Sequence, residues 1–131
     1  MKIFGLILTL SALISVGLSG CISGGDNTPA DLLEPRVNSE AGIIIKVTYL
    51  PDTTDSTTFD IKVTAHKDYN DDFRNNSYLR DSRGKTYQPL SYEGEGGHHA
   101  SGTLRFPKIE SKRFELVIKD VAEVNERVFV W

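Results

Sequence analysis

Two adjacent histidines, His98 and His99, are the side chains of this sequence best suited to bind a metal ion. Neutral imidazole is a ligand for zinc and for copper. A metal site needs three or four converging ligands, and neighbouring residues of a strand point to opposite faces, so these histidines could share an ion only within a turn. The glycine-rich residues 94–97 allow such a turn, and three side chains could supply a further ligand: His66, Glu93 or Glu95. The alternative is that one imidazole hydrogen-bonds to a loop backbone while the other is solvated.

Other chemistry is less well supported by the spacing of the residues. The acidic run from Asp68 to Asp72 offers the carboxylate oxygens that calcium binds, but it matches no EF-hand loop, and a solvated loop is the alternative. The chain has no Gly-x-Ser-x-Gly elbow, no His-Glu-x-x-His motif and no phosphate-binding loop. We therefore predict that the protein is not an enzyme, and we expect no cofactor unless the two histidines hold zinc or copper.

The only cysteine, Cys21, stands at the end of an apolar stretch. Lys2, the apolar residues 3–18, and then Ser19 and Gly20 follow the order of a secretory signal, which has a positive end, an apolar core and small residues. The stretch is short for a membrane span, which needs about 20 residues. A plain secretory signal and a retained anchor helix remain alternatives.

The four residues Leu18-Ser19-Gly20-Cys21 resemble the lipobox of prokaryotic lipoproteins. The resemblance implies that residues 1–20 are a signal peptide and that Cys21 receives a diacylglycerol thioether as the first residue of the mature protein. Acyl chains, palmitate among them, would then anchor the protein to a cell membrane, facing outside the cytoplasm. Two chains anchor stably, whereas one gives only marginal binding. Because the only thiol would carry lipid, no disulfide could form within the chain.

Removing residues 1–20 from a chain of 131 leaves 111 residues, with 14 basic side chains against 18 acidic ones. This formal charge of −4 argues against nucleic acid as a partner, since nucleic acid requires a clustered basic surface. It also argues against attraction to anionic lipid headgroups. Residues 21–39 are rich in Gly, Pro, Asn, Asp and Ser, and we interpret them as the lipidated cysteine and a flexible tether.

Residues 40–131 are predicted to form one all-β domain. Residues 59–66 alternate strictly between apolar and polar side chains, which is typical of a half-buried strand. Residues 81–84 predict a tight hairpin in which Gly84 takes a positive φ. About seven short strands separated by turn residues favour an immunoglobulin-like antiparallel sandwich, with a small β-barrel as the alternative. No segment of the domain has helical spacing, and residues 67–76 are interpreted as a loop and residues 89–99 as a turn-rich stretch.

The second half of this domain carries a distinctive set of residues around a Gly-Gly-His-His segment: Leu79, Arg80, Asp81, Gly84, Tyr87, Gly96, Gly97, His98, His99, Gly102, Leu104, Phe106, Pro107, Arg127, Phe129 and Trp131. On these residues the chain resembles an uncharacterised family of bacterial and archaeal exported or lipid-anchored domains. The resemblance implies an immunoglobulin-like sandwich and no established activity. The chain departs from the family at Ala100, where other members often carry a basic residue.

The sequence therefore predicts a membrane-anchored lipoprotein whose domain is a non-enzymatic binding or interaction module at the cell surface. The expected partners are the membrane, through the lipid on Cys21, and a protein or another component of the cell envelope. The alternative is an extracytoplasmic metal-binding protein centred on His98 and His99. Sandwich loops are well placed for recognition because they cluster at the two ends of the sheets.

Overall fold

The computed structural model describes residues 29–51 and 54–131. The predicted signal peptide, the lipidated Cys21 and residues 22–28 of the tether lie outside the described residues. Within the described residues, no helix is long and apolar enough to cross a membrane. In chain order the elements are α1 (Pro29–Leu33), β1 (Arg36–Glu40), β2 (Ile43–Leu50), β3 (Ser56–Ala65), α2 (Phe73–Asn76), β4 (Ser77–Asp81), β5 (Thr86–Tyr87), β6 (Ser91–Glu95), β7 (Ser101–Pro107), β8 (Phe114–Val121) and β9 (Val124–Val130).

Two antiparallel sheets pack face to face. The first has the strand order β1-β2-β3-β7-β6, and the second has the order β5-β4-β8-β9. The prediction of an all-β sandwich is confirmed, and the barrel alternative is wrong because the sheets of the described chain do not close into a barrel. The described chain has nine strands rather than about seven; β1 and β6 are the two that the sequence pattern did not predict.

Both additional strands lie at sheet edges, which explains why the apolar pattern missed them. An edge strand needs few buried side chains, and no residue of β1 or β6 is fully buried. The prediction of a flexible tether is therefore wrong for residues 36–39, since β1 pairs with β2 along its whole length. A two-residue turn joins the two strands, and both of its residues, Ala41 and Gly42, have positive φ (52° and 76°), as a tight hairpin requires.

Residues 67–76 were predicted to form a loop, but their second half contains the short helix α2. Asp72 caps this helix, and its side chain accepts hydrogen bonds from the backbone N–H and the Nδ2 of Asn75. The helix is only one turn long, too short to give a helical period in the sequence. Its stability comes from Phe73, which is completely buried beside Tyr92, with the ring centroids 5.2 Å apart.

Alternating apolar residues of the two sheets form the core, and those of residues 59–65 are buried as the alternation predicted. Tyr49 and Tyr87 are partly buried and pack against this core. Four aromatic rings, Tyr49, Phe59, Phe114 and Trp131, meet at one end of the core with centroid separations of 5.1–6.0 Å. Rings at these separations bury much apolar area and pack edge to face or stacked. This cluster joins the sheets without any disulfide.

Arg127 of β9 is completely buried between the sheets. Its guanidinium donates hydrogen bonds to Asn38 Oδ1 (2.8 Å) and to the carbonyl oxygens of Glu40 (3.1 Å), Ile43 (3.2 Å) and Val121 (3.2 Å). Burial lowers the pKa of Arg127 from its ordinary value, and the nearby charge of Glu40 works in the opposite direction. The cation thus joins the β1–β2 hairpin to the β8–β9 hairpin.

The register places the connections at two opposite ends of the sandwich. What we call the Arg36 end contains the start of β1, the β4–β5 hairpin and the connection between β7 and β8. What we call the His98 end contains the turns at residues 41–42 and 122–123, the segment 66–72 and the segment 96–99. The β4–β5 hairpin and the histidine segment therefore lie at opposite ends of the domain.

We expect Arg127→Ala to lower the free energy of unfolding by at least about 3 kcal/mol. The variant leaves several buried carbonyl oxygens without a donor, and each loss costs about 1–3 kcal/mol. Urea unfolding followed through the fluorescence of Trp131, the only tryptophan, measures the effect. Val128→Ala, an exposed neighbour on the same strand, is the control and should change stability by about 0.5 kcal/mol or less. Equal effects of the two substitutions would contradict this role of the guanidinium.

Candidate functional site

A groove of about 440 Å³ opens at the Arg36 end, between the β4–β5 hairpin and the connection from β7 to β8. We call it the basic groove and define it by residues 81–85, Tyr87 and residues 108–112. Four cationic side chains line it, namely Arg83, Lys85, Lys108 and Lys112, together with two acidic ones, Asp81 and Glu110. Cations from two distant parts of the sequence therefore share one concave surface.

Asp81 shapes the first wall of the groove. Its Oδ1 accepts hydrogen bonds from the backbone N–H groups of Arg83 (2.9 Å) and Lys85 (3.0 Å), and its Oδ2 accepts one from the Tyr87 hydroxyl (3.1 Å). Gly84 takes the positive φ (83°) that the sequence predicted for this hairpin. Desolvation works to raise the pKa of Asp81, but these hydrogen bonds and the Arg83 charge hold it below its ordinary value. The carboxylate is therefore occupied by its own hairpin.

The second wall of the groove is attached to the first and to the core. The Ser111 hydroxyl donates to the carbonyl oxygen of Arg113 (2.6 Å) and lies 3.0 Å from the Ser82 hydroxyl, which must then be the donor to it. Ile109 is buried, and its backbone N–H donates to the Thr57 hydroxyl (3.2 Å). Because both walls are held by these bonds, the cations stand on fixed backbone.

The start of β1, where the chain enters the sandwich, lies next to the groove. A second cavity of about 400 Å³ shares Asp81 and Ser82 with it and extends past Arg113 to Trp131. The Arg36 guanidinium lies 5.4 Å from the centre of the Trp131 ring, and its Nε donates to the carbonyl oxygen of Val130 (2.8 Å). The start of β1 and the basic groove therefore occupy the same end of the domain.

The predicted histidine site lies at the opposite pole. His98 Nε2 lies 2.9 Å from Asp68 Oδ1, and about half of the His98 side chain is exposed (51%). The carbonyl oxygen of His98 accepts a hydrogen bond from the backbone N–H of Ala65 (2.8 Å). The expected alternative, an imidazole bonded to a loop backbone, is therefore wrong in its partner, since the His98 ring meets a carboxylate and the segment is held through its own backbone carbonyl. His99 and His66 are exposed.

The glycines before the histidines allow two loops to approach each other closely. A Cβ at Gly96 would come within 2.1 Å of Asp71 Oδ2, and this same oxygen accepts a hydrogen bond from the backbone N–H of Gly97 (2.9 Å). The Tyr69 hydroxyl donates to the carbonyl oxygen of Gly97 (2.7 Å). The Gly-Gly-His-His segment thus positions one loop against another.

Burial raises the pKa of Tyr69 to about 12, with the charge of Asp71 contributing further. Burial also raises the pKa of Tyr92, again with help from Asp71. Both phenols therefore stay protonated and act as hydrogen-bond donors; the Tyr92 hydroxyl donates to the carbonyl oxygen of Glu95 (3.1 Å). The ring of Tyr92 covers Gly102, where a Cβ would lie 2.5 Å from it. The Tyr92 ring therefore covers the backbone of the neighbouring strand β7.

Among the described residues, no group of three or more His, Cys, Asp or Glu side chains is arranged to hold a metal ion. His98 has one carboxylate partner, Asp68, which falls short of the ligand set that zinc requires. Two carboxylates of the suspected calcium loop are already used, since Asp71 accepts from Gly97 and Asp72 caps α2. Zinc or copper at His98 and His99 stays a prediction that this geometry does not favour.

The basic groove and the loops of the His98 end carry opposite charge. Residues 81–85 and 108–113 hold five cations and two acids. At the His98 end, residues 66–76, 95–99 and 120–123 together hold six acids and two cations, Lys67 and Arg74. The net charge of the chain conceals this separation because it adds both ends together.

Asp81 and Tyr87 belong to the residues that carry the family resemblance, but the four cations of the groove were not predicted from the sequence. They come from two short segments more than twenty residues apart, and neither segment alone forms a basic run. The available signal was the pair of clusters Arg83-Gly84-Lys85 and Lys112-Arg113, each placed at a predicted turn or strand boundary.

Comparison with known proteins gives a structural likeness and does not show a family. No family model matches the chain, and no curated protein matches it. A crystal structure of a DUF4426 family protein from Pseudomonas aeruginosa PAO1 is similar over 73% of this chain and 92% of its own, with 7% identity and a TM-score of 0.48. That family is a bacterial domain of unknown function.

We expect Gly96→Ala and Asp71→Ala each to lower stability by about 1–2 kcal/mol, because each removes the hydrogen bond between Asp71 and Gly97. The double variant should be no less stable than Asp71→Ala alone, since the added methyl group then has no carboxylate to meet. Urea unfolding of the three variants measures this coupling. Simple additivity of the two losses would show that the loops do not meet through this contact.

Proposed function

We propose that the protein is a lipoprotein anchored through Cys21 to a membrane outside the cytoplasm, and that its sandwich is a non-enzymatic module that binds anionic groups in the basic groove. The observation that carries the binding proposal is the convergence of four cations from two segments on one concave surface. The anchoring proposal is supported by the order of residues 1–21 and by the absence of any other cysteine.

The chemistry of the groove favours an anion with oxygen acceptors. Lysine and arginine form short, charge-assisted hydrogen bonds to phosphate and carboxylate groups. The carboxylate of Asp81 is held by the backbone N–H groups of Arg83 and Lys85 and by the Tyr87 hydroxyl. With four cations against the two acids Asp81 and Glu110, the lining of the groove keeps a surplus of positive charge.

The proposal also covers the signal peptide, the mature amino terminus and the type of sandwich. We infer that residues 1–20 are a signal peptide and that the mature chain begins at a lipidated Cys21. We also propose that the sandwich is immunoglobulin-like, which is supported by its two antiparallel sheets and by the joining of the sheets through an aromatic core.

We expect mass spectrometry of the membrane fraction to find a mature amino terminus at Cys21 that carries acyl chains. Cys21→Ala should lose this mass and leave the membrane fraction, because no thiol remains to be alkylated. Ser19→Ala keeps a small residue before the cysteine and should behave like the wild type. An unmodified Cys21 thiol in membrane-bound protein would refute the anchor.

We expect the detergent-solubilised full chain to bind phosphocellulose at low salt, although its net charge is negative. Arg83→Glu/Lys85→Glu/Lys112→Glu should remove this retention, since the three exposed side chains line the groove. The matched control is Lys46→Glu/Lys62→Glu/Lys67→Glu, which makes the same change in net charge on exposed residues elsewhere. Loss of retention in both variants would attribute binding to net charge and would reject the groove as the binding site.

A further inference from the structure

The basic groove lies at the end of the domain where the chain arrives from Cys21. Arg36 starts β1 and contacts Val130 and Trp131, and these two residues line the cavity that adjoins the groove. Helix α1 precedes this strand and packs against β2, with Leu32 against the core. The segment that connects Cys21 to the domain therefore ends beside the cations of the basic groove.

The path from the lipid to this end is short. Cys21 and Pro29 are separated by eight Cα–Cα steps, and at 3.8 Å each these span at most about 30 Å. The ten residues of β3 are about as long, at roughly 3.3 Å per residue. A lipid on Cys21 would thus keep the Arg36 end within one domain length of the headgroups, at a high effective concentration.

The charge of the two ends fits one orientation on an anionic surface. The groove and Arg113 present five cations against two acids, whereas residues 66–76, 95–99 and 120–123 of the His98 end present six acids against two cations. The Arg36 end also holds three further acids, Asp31, Glu34 and Asp55, and two further cations, Arg36 and Arg105, and the Asp55 carboxylate is 3.9 Å from the Arg105 guanidinium. An anionic bilayer attracts the first end and repels the second, and this attraction acts within about one Debye length.

We propose that the anion bound by the basic groove is the phosphate of anionic phospholipids in the membrane that holds the protein, so that the domain stands with its Arg36 end on the bilayer. This inference rests on the proposed anchor and groove. The overall negative charge argues against headgroup attraction only when it is averaged over the chain. Docking leaves the His98 end, with its acidic loops, as the surface that faces outward.

The test uses the lipidated full chain in vesicles of phosphatidylcholine, alone or mixed with phosphatidylglycerol. Because the lipid would occupy Cys21, Thr86→Cys adds one reactive thiol beside the groove, on the exposed residue between Lys85 and Tyr87, and His99→Cys adds one at the opposite end. Each thiol carries a fluorophore, and spin-labelled headgroups act as quenchers. We expect quenching of the Thr86→Cys label to rise several-fold with phosphatidylglycerol and to fall again at high salt, while the His99→Cys label stays unquenched.

The variants of the phosphocellulose experiment separate the two proposals. The groove variant should abolish the lipid-dependent quenching at Thr86→Cys, and the matched control variant should keep it. Retention on phosphocellulose without any lipid-dependent quenching would overturn membrane docking and leave the groove as a site for another anionic partner in the envelope. Equal quenching at both labelled positions, or loss of quenching in the control variant, would also overturn docking. If the wild type shows neither retention on phosphocellulose nor lipid-dependent quenching, the groove is rejected as an anion-binding site.

Discussion

One buried cation constrains most of the described fold. The guanidinium of Arg127 has no carboxylate in contact, so its charge is compensated by four oxygen acceptors, three of which are backbone carbonyls. A buried charge is costly unless such acceptors surround it. The β1–β2 hairpin and the β8–β9 hairpin must therefore reach their places together, and the edge strand β1 is retained although it buries little apolar surface of its own.

The sandwich places two surfaces of different chemistry at its opposite ends. At the His98 end, carboxylates bind backbone N–H groups and cap a helix, so acidic side chains there serve the loop structure. At the Arg36 end, the corresponding carboxylate of Asp81 closes its own hairpin, and the cations around it line the groove. The two poles therefore use acids for loop geometry in the same way and differ in the number of cations that surround them.

Periodicity predicted the central strands because each of them has a buried face. The alternation of residues 59–65 placed β3 and its inward side chains correctly, and the turn composition around Gly84 predicted both the hairpin and the positive φ. The edge strands β1 and β6 lack that alternation. The helix α2 is one turn long, and its buried residue Phe73 stands in a mostly polar segment of the sequence. These elements depend on tertiary contacts that a local pattern does not contain.

The candidate site was harder to predict from the sequence than the fold was. A histidine pair next to glycines suggested metal chemistry, but the glycines serve a close approach between Gly96 and Asp71. The basic groove went unnoticed because its cations are contributed by segments that only the β4–β8 pairing brings together. Whole-chain charge was misleading for the same reason, since it contains no information about position.

The final strand gives the domain a defined order of assembly. Arg127 bonds to a carbonyl 84 residues earlier in the chain, and Trp131 exchanges backbone hydrogen bonds with Phe114. Contacts of such sequence separation form slowly, and here they cannot form before β9 has left the ribosome. The two sheets of the described domain therefore cannot enclose their core until β9 has paired with β8 and has brought Arg127 and Trp131 into it.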